Sequence, residues 1–241
     1  MTDQQKINEI SIVIPSKNDE ITLLKNIDDL LIFCKKYVSN YEVIIVVNGS
    51  EDKNIITLKD YLSNKNLDNF KIINSEIVGK GAAVKLGINK SNFDLVLITD
   101  ADFSVKIDHL ITFVDSSFNP LGPFVVGTRK SKGSKVVNTP ITRRLTGFIY
   151  TFLVKTLLNI KADDTQCGFK LFNKKEFINV TNFQSTGFSY DIELFLLAKE
   201  KEIIPIEIPV KYIHEKNSNI NVLSDSRKMF TELIKIRNLY S

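Results

Sequence analysis

Two aspartates one residue apart, Asp100 and Asp102, stand at the end of an apolar run. Residues i and i+2 of an extended chain point to the same side, so both carboxylates could converge on one cation. Mg²⁺ and Mn²⁺ prefer oxygen ligands and commonly bridge to phosphate oxygens. An aspartate at a strand end can instead merely cap the following helix. Two acids behind a buried strand favour a Mg²⁺ or Mn²⁺ site held by Asp100 and Asp102.

A glycine-rich stretch, Gly79-Lys80-Gly81-Ala82-Ala83, opens a predicted helix. Small residues let the backbone approach a ligand, and the N-terminus of a helix favours an anion. Lys80 adds a positive charge at the same point. The spacing matches neither GxGxxG nor a Walker loop, so an ordinary glycine turn is the alternative. Lys80 and Gly81 are therefore candidate nucleotide-binding residues.

Three arginines, Arg129, Arg143 and Arg144, lie close in sequence to a strongly apolar helical segment. Arginine forks bind phosphate well. Any one of them alone is more typical of a solvated charged surface. Together with the neighbouring apolar stripe, the three arginines predict a site that binds an anionic lipid head group at a membrane interface.

The stretch 163–170, DDTQCGFK, is dense in polar groups and contains a glycine. It could line a sugar pocket or form an ordinary loop between a helix and a strand, and composition leaves both open. Cys167 has no basic neighbour in sequence, which indicates a structural role. Asp191 and Glu193 stand at the start of a predicted helix, where carboxylates are favoured by the helix dipole. His214 is a possible third metal ligand, although a hydrogen-bonded structural histidine is the commoner case.

Alternating strands and helices must position these residues. Apolar runs predict strands at 10–14, 42–47, 70–74 and 94–99. Helical spacing of apolar residues predicts a helix at 19–37, a second that follows the strand at 42–47 and ends at about 62, and a third at 80–89. This alternation indicates a parallel sheet with helices on both faces, since parallel neighbours need crossover helices. Ligands in such sheets bind beyond the carboxyl ends of the strands. The polar residues after each strand are therefore binding candidates, among them Asn18, Asp19 and Asn48.

The second half is less regular. We predict strands at 124–127 and 206–213 and helices at 142–160, 188–199 and 224–240. The chain shows no internal repeat and no linker long enough to separate domains. We expect one domain over 1–241, with a nucleotide-binding half at about 1–104 and an acceptor half at about 105–241.

Composition sets outer limits on function. With 43% hydrophobic and 25% charged residues among 241, the chain is typical of a globular protein. The net charge of +4 is too small to indicate nucleic-acid binding, though it suits an anionic substrate or membrane surface. Two cysteines exclude a disulfide scaffold. The polar first ten residues lack the apolar core of a signal peptide, so we expect a cytoplasmic protein.

Membrane contact is a separate hypothesis. The longest apolar region, 148–160, is interrupted by Lys155 and is too short to span a bilayer. Two apolar stripes could face a membrane, although packing onto the sheet is the commoner fate of such stripes. They are formed by Phe148, Phe152, Leu153 and Leu157, and by Met229, Phe230, Leu233, Ile234 and Ile236.

Taken together, the segments resemble a family 2 inverting glycosyltransferase with the GT-A fold. The resemblance spans nearly the whole chain and rests on IVIPSKNDE, YEVIIVVNGSEDKN, GKGAAVKLGI, DAD, GTR, DDTQCGFKLF and FSYDIELF. The segments DTQCGFKLF and FSYDIELF are similar to the dolichyl-phosphate β-glucosyltransferase branch, with dolichyl-phosphate mannose synthases nearby. The resemblance implies an α/β, Rossmann-like single domain whose central sheet is mainly parallel.

The resemblance also implies roles for individual residues. The residues next to the donor nucleotide, with its base and ribose, would be Pro15, Asn18, Asp19, Lys80 and Gly81. Asp100 and Asp102 would bind the diphosphate through the metal. The residues contacting the acceptor phosphate would be Arg129, Arg143 or Arg144, and Lys170. Gln166, Gly168 and Asp191 would surround the transferred sugar and the acceptor.

The implied reaction moves a hexose, with glucose favoured, from a nucleotide-diphosphate sugar such as UDP-glucose to a polyprenyl phosphate. A phosphate monoester has a second pKa of about 6, so its attacking oxygen is already anionic at neutral pH. A saccharide hydroxyl would instead need a general base such as Asp191. A soluble glycosyltransferase with a hydroxyl acceptor is thus the second hypothesis. A sugar-phosphate nucleotidyltransferase ranks third, because the glycine- and arginine-rich loop that such enzymes carry after the first strand is not found in this sequence. A non-catalytic binding module ranks last.

Overall fold

A computed structural model describes residues 5–177, 179–214 and 222–240, with backbone alone for 52, 141–146 and 222–230. The strands are β1 (Ile7–Ser16), β2 (Val38–Val47), β3 (Phe70–Asn74), β4 (Leu95–Ile98), β5 (Phe124–Thr128), β6 (Lys135–Val137), β7 (Lys170–Asn173), β8 (Ile206–Pro209) and β9 (Lys211–Ile213). The α-helices are α1 (Glu20–Tyr37), α2 (Asp52–Asn64), α3 (Lys80–Lys90), α4 (Ile141–Leu158), α5 (Tyr190–Glu200) and α6 (Val222–Leu239). A 3₁₀ helix, Ile107–Phe113, precedes β5.

The central sheet has seven strands in the order β3-β2-β1-β4-β7-β5-β8. Strands β3, β2, β1 and β4 run parallel, whereas β7 runs antiparallel to both of its neighbours, β4 and β5. The inner strands are apolar runs because both of their faces are covered. Residues Ile10–Ser16 of β1, for instance, are all buried. The predicted α/β class with a mainly parallel sheet is confirmed.

Helices cover both faces of the sheet, as predicted. Successive residues of β1 point to opposite faces, so Ile12 and Ile14 pack in one core and Val13 in another. The first core lies under α1 and α2, which contribute Leu23, Ile27 and Leu58 among others. The second core lies under α3, α4, α5 and α6; its members there include Val84, Val154, Ile192 and Leu233.

Two predictions in the second half are wrong in detail. The stretch 163–170 is not only a loop, because Lys170 is the first residue of the central strand β7. The single strand expected at 206–213 is divided at Val210, since β8 pairs with β5 in the main sheet and β9 pairs with β6 in a second, two-stranded sheet. Strand β6 was not predicted.

The topology brings the candidate residues to one edge. Strands β1 and β2 end together, with Ser16 opposite Val47, and β4 ends beside β1, with Ile98 opposite Val13. Because β7 is antiparallel, it begins at this edge, and its Lys170 lies opposite Ile98. The loops after β1, β2 and β4 therefore meet the loop that precedes β7 at the carboxyl ends of the parallel strands.

Candidate active site

Asp100 follows β4 and forms an ion pair with the first residue of α3. The distance from Lys80 Nζ to Asp100 Oδ1 is 2.6 Å, and the two side chains are 22% and 32% exposed. Asp100 Oδ2 lies against Gly168, where an ideal Cβ would come within 2.1 Å of it. Burial alone would raise the pKa of Asp100, but Lys80, Lys170 and Arg129 together hold it below its usual range. Gly168 thus leaves the space that the Asp100 carboxylate needs.

Asp102 is fixed by the residue two positions further on. The Ser104 backbone N–H donates to Asp102 Oδ1 at 2.9 Å, and the Ser104 hydroxyl donates to Oδ2 at 2.7 Å. Burial and the nearby Asp100 raise the pKa of Asp102, even though both Ser104 bonds lower it. The turn also holds Phe103 at a φ of 47°, a left-handed conformation that is uncommon outside glycine. Both aspartates are therefore held rigidly at the sheet edge.

Asp19, in the loop after β1, faces the aspartate pair. Its pKa is raised to about 6 by burial, followed by the negative charges of Asp102, Glu20 and Asp100. The side-chain oxygen of the preceding Asn18 accepts a hydrogen bond of 2.9 Å from the Glu51 N–H. The Asn18 side chain therefore ties the loops after β1 and β2 together. Asp19 lies at the edge, as predicted.

Two of the candidate binding residues, Pro15 and Asn48, make contacts within the protein. Pro15 is buried within β1, opposite Val46, and so lies behind the edge. Asn48 is buried, and its amide donates to the Ile77 carbonyl at 2.6 Å while its Oδ1 accepts the Gly79 N–H at 2.5 Å. Both ends of the Asn48 amide therefore hold the loop before α3, and its binding role stays a prediction.

The N-terminus of α3 does not offer the free N–H groups expected for an anion site. The Gly81 N–H donates to the Gly187 carbonyl and the Ala82 N–H to the Thr186 carbonyl, each at 3.1 Å. A Cβ at Gly79 would lie 2.1 Å from the Thr186 carbonyl oxygen, and one at Gly81 would lie 2.3 Å from a second loop carbonyl. The glycines thus admit the protein's own loop. The side chain of Lys80 points to Asp100 at the sheet edge.

Lys170 and Asp191 form an ion pair inside the protein. Lys170 Nζ lies 2.6 Å from Asp191 Oδ1, and the two side chains are 0% and 4% exposed. The same ammonium also donates to the Cys167 carbonyl. The prediction that Lys170 contacts an acceptor phosphate is therefore not supported in this arrangement. Lys170 instead positions Asp191 beneath the site.

Arg129, directly after β5, is held by Asp164. Its Nε and Nη2 donate to the two carboxylate oxygens of Asp164 at 2.6 and 2.8 Å, and its backbone N–H adds a third bond of 3.0 Å. Burial would raise the pKa of Asp164, but Arg129 holds it far below its usual range. The guanidinium also lies 5.2 Å from the ring centre of Tyr212. Gln166 is half-buried, and its N–H donates to Asp164.

Comparison with known proteins assigns the chain to a family. Residues 11–181 match Glycosyl transferase family 2. The chain belongs to this family. A dolichyl-phosphate β-glucosyltransferase of Saccharomyces cerevisiae is 30% identical over 96% of this chain and 75% of its own length. The Homo sapiens protein of the same name is 27% identical over 96% of this chain and 76% of its own length.

Solved structures show the same fold. Glucosyl-3-phosphoglycerate synthase from Mycobacterium tuberculosis, crystallised with Mn²⁺, UDP-glucose and phosphoglyceric acid, superposes with a TM-score of 0.69. The two chains are 15% identical, and the match covers 97% of this chain and 80% of the other. The predicted GT-A architecture is thus confirmed. Membership in family 2 favours a glycosyltransferase over the nucleotidyltransferase and the binding module.

In this family 2 glycosyltransferase, the edge residues fit a hard divalent cation. The carboxylates of Asp100 and Asp102 offer oxygen donors, the ligand type that Mg²⁺ prefers. Among the residues that the structure describes, no group of three or more His, Cys, Asp or Glu side chains is arranged to hold a metal ion. His214 is buried, and its backbone N–H donates to the Val137 carbonyl at 3.0 Å.

Some predicted residues fall outside the described side chains, and one functional residue was missed. The Arg143 and Arg144 side chains, like those of Met229 and Phe230, lie outside the described part of the chain. Asp164 was treated as part of a polar stretch, although it is the partner that orients Arg129. The available signal was the pair of acids at 163–164, but nothing in the local pattern links them to an arginine 35 positions earlier.

Proposed function

We propose that this glycosyltransferase moves glucose from UDP-glucose to a polyprenyl phosphate, such as dolichyl phosphate, with inversion at the anomeric carbon. The observation that carries the proposal is the Asp100–Asp102 pair at the carboxyl edge of the sheet, with Lys80 bound to it at 2.6 Å. This arrangement combines oxygen ligands for a cation with a positive charge for a diphosphate. The names of the curated relatives support the choice of sugar and acceptor.

Asp100 and Asp102 would hold a Mg²⁺ or Mn²⁺ ion together with the donor diphosphate. When bound, such an ion neutralises charge that develops on the leaving group. The protein's own contribution is to hold Asp102 through Ser104 and to leave space for the Asp100 carboxylate at Gly168. Lys80 supplies a further positive charge next to the leaving diphosphate.

The state of Asp191 favours a phosphate acceptor over a hydroxyl acceptor. An inverting transfer to a hydroxyl needs a general base within reach of the attacking oxygen. Asp191 is 3% exposed and bound to the Lys170 ammonium, so it is poorly placed to take a proton from an incoming hydroxyl. A lipid phosphate needs no such base, because its second pKa is about 6 and its oxygen is anionic at neutral pH.

The acceptor would reach the site from a membrane surface. No helix of the described part of the chain is long and apolar enough to cross a bilayer. On α4, Phe148 and Phe152 are 69% and 61% exposed, and Lys155 lies on the same helix. Exposed aromatic and basic side chains on one helix suit the interface of an anionic membrane. On α6, Leu233 and Ile236 are buried in the core, whereas Ile234 is 43% exposed.

One incubation tests the reaction. The protein would be mixed with a panel of UDP- and GDP-sugars, Mn²⁺ and short polyprenyl phosphates, and the lipids analysed by mass spectrometry. We expect a glucosyl phospholipid from UDP-glucose, lost in Asp100→Asn and Asp102→Asn and retained in Asp108→Asn, which alters an exposed carboxylate nearby. Transfer to a saccharide but not to any lipid phosphate would refute the proposed acceptor.

A sedimentation assay tests the membrane contact separately. We expect the protein to bind anionic liposomes at low salt and a Phe148→Ser/Phe152→Ser variant to bind much less. The control is Ile32→Ser, which removes a side chain that is 68% exposed on α1, on the opposite face of the sheet. Equal sedimentation of all three proteins would exclude α4 as the contact surface.

A further inference from the structure

Three of the four oxygens of the aspartate pair are hydrogen-bonded or ion-paired within the protein. Asp100 Oδ1 is bound to Lys80, and Oδ2 lies against Gly168. Both oxygens of Asp102 accept hydrogen bonds from Ser104. A cation that bound to Asp100 would therefore arrive at a carboxylate that has a positive partner at 2.6 Å.

Lys80 is suited to act as a counter-ion for the aspartate pair. Its Nζ lies 2.6 Å from Asp100 Oδ1, and a lysine ammonium is charged at neutral pH. Two like charges that share one carboxylate repel each other strongly in a half-buried site. A divalent cation could bind Asp100 Oδ1 only if the ammonium moved away from that oxygen.

The backbone of Lys80 is fixed, whereas its side chain is not. The N–H groups of Gly81 and Ala82 fasten this end of α3 to the loop at 186–187. The lysine side chain itself is a compact charge on a flexible four-carbon stem. Since 22% of it is exposed, it has room to turn toward a ligand in the site. It would turn only if that ligand offered a negative group to replace Asp100.

We propose that Lys80 is a resident counter-ion of the aspartate pair, exchanged for a divalent cation only when a nucleoside diphosphate accepts its ammonium. This inference rests on the proposed function, in which the donor brings that diphosphate. Metal and nucleotide then bind together, and the metal binds weakly alone. By linkage, the factor by which UDP tightens Mn²⁺ binding equals the factor by which Mn²⁺ tightens UDP binding.

Mn²⁺ binding measured by electron paramagnetic resonance tests the exchange without any turnover. For the unmodified protein, we expect saturating UDP to tighten Mn²⁺ binding at least tenfold. For Lys80→Met, we expect Mn²⁺ alone to bind at least threefold more tightly than to the unmodified protein, and UDP to tighten it less than threefold. Lys90→Met is the matched control, because it removes the same charge from the exposed end of α3, about 15 Å along the helix. It should behave like the unmodified protein.

Specific results would overturn the inference. If Mn²⁺ binds the unmodified protein equally well with and without UDP, no exchange is required. If Lys80→Met and the neutral hydrogen-bonding variant Lys80→Gln both leave the binding of Mn²⁺ alone unchanged, Lys80 is not the competing charge. The measurement on the unmodified protein can still overturn the inference even if neither variant folds. Failure of the proposed function looks different: Mn²⁺ then binds in neither condition, or binds unchanged to Asp100→Asn.

Discussion

Replacing Lys170 by methionine isolates the energetics of a buried ion pair beneath the site. Lys170 heads β7 between Ile98 and Val126, so its side chain has no route to solvent. The variant leaves Asp191 charged, buried and without its partner, which costs about 3–5 kcal/mol. With a urea m-value of about 3 kcal/mol/M, the unfolding midpoint should fall by about 1–2 M.

The chain offers a control with the same contact geometry. Lys175, near the other end of β7, pairs with Asp94 at the same 2.6 Å, but the two side chains are 78% and 36% exposed. Exposed pairs often contribute nothing measurable. We therefore expect Lys175→Met to leave the midpoint unchanged. Burial alone then accounts for the difference between the two variants.

A double variant separates lost charge balance from lost packing. In Lys170→Met/Asp191→Leu both charges are gone, and apolar replacement of a buried pair is often neutral or stabilising. We expect the double variant to recover at least half of the stability lost in Lys170→Met, as measured by urea unfolding followed by circular dichroism. A double variant as unstable as the single one, or a single variant as stable as Lys175→Met, would refute the reasoning.

Three further predictions concern the same edge of the sheet and the core. Gly168→Ala should lower the affinity for Mn²⁺ in the presence of UDP at least tenfold, because the new Cβ would lie 2.1 Å from Asp100 Oδ2. The control is Gly147→Ala, whose Cβ meets nothing within 4 Å and which should leave the affinity unchanged in the same titration. Arg129 depresses the pKa of Asp164, so this pair stabilises the fold above about pH 4 and that stability is lost as the pH falls. Between pH 5 and 3, the free energy of unfolding should therefore fall less steeply in Asp164→Asn than in the unmodified protein; parallel slopes in urea titrations would contradict this. Burial raises the pKa of Cys34 to about 12 and that of Cys167 to about 11, so neither thiol should react with a chromogenic disulfide at pH 8 until urea unfolds the chain.

The alternation of strands and helices could be predicted because its cause is local. Strands buried on both faces are continuous apolar runs, and the helix that follows shows its own spacing. The edge position of Asp100 and Asp102 follows from the same pattern, since the aspartates end such a run. Strand β7 could not be found in this way, because it begins with a lysine after a polar loop. Its burial depends on Asp191, 21 positions further along the chain.

The glycines show why local interpretation of a binding motif goes wrong. Gly81 and Gly168 were both expected to serve a ligand, since glycine lets a ligand approach the backbone. In the structure, the group that approaches Gly81 is a loop carbonyl, and the group that approaches Gly168 is the Asp100 carboxylate. The chemistry of close approach was correct, but the approaching group came from a distant part of the same chain. No pattern in one sequence identifies such a partner.

Three cations at the site are paired with carboxylates of the protein before any ligand binds. Each of three cations has its own carboxylate: Lys80 has Asp100, Arg129 has Asp164, and Lys170 has Asp191. An anionic substrate that binds one of these three cations must therefore take it from its partner, and only the partly exposed cations are within its reach. Lys80 and Arg129 are 22% and 24% exposed, whereas Lys170 is fully buried. Phosphate groups would then compete for Lys80 and Arg129, while Lys170 keeps Asp191 in place throughout the reaction.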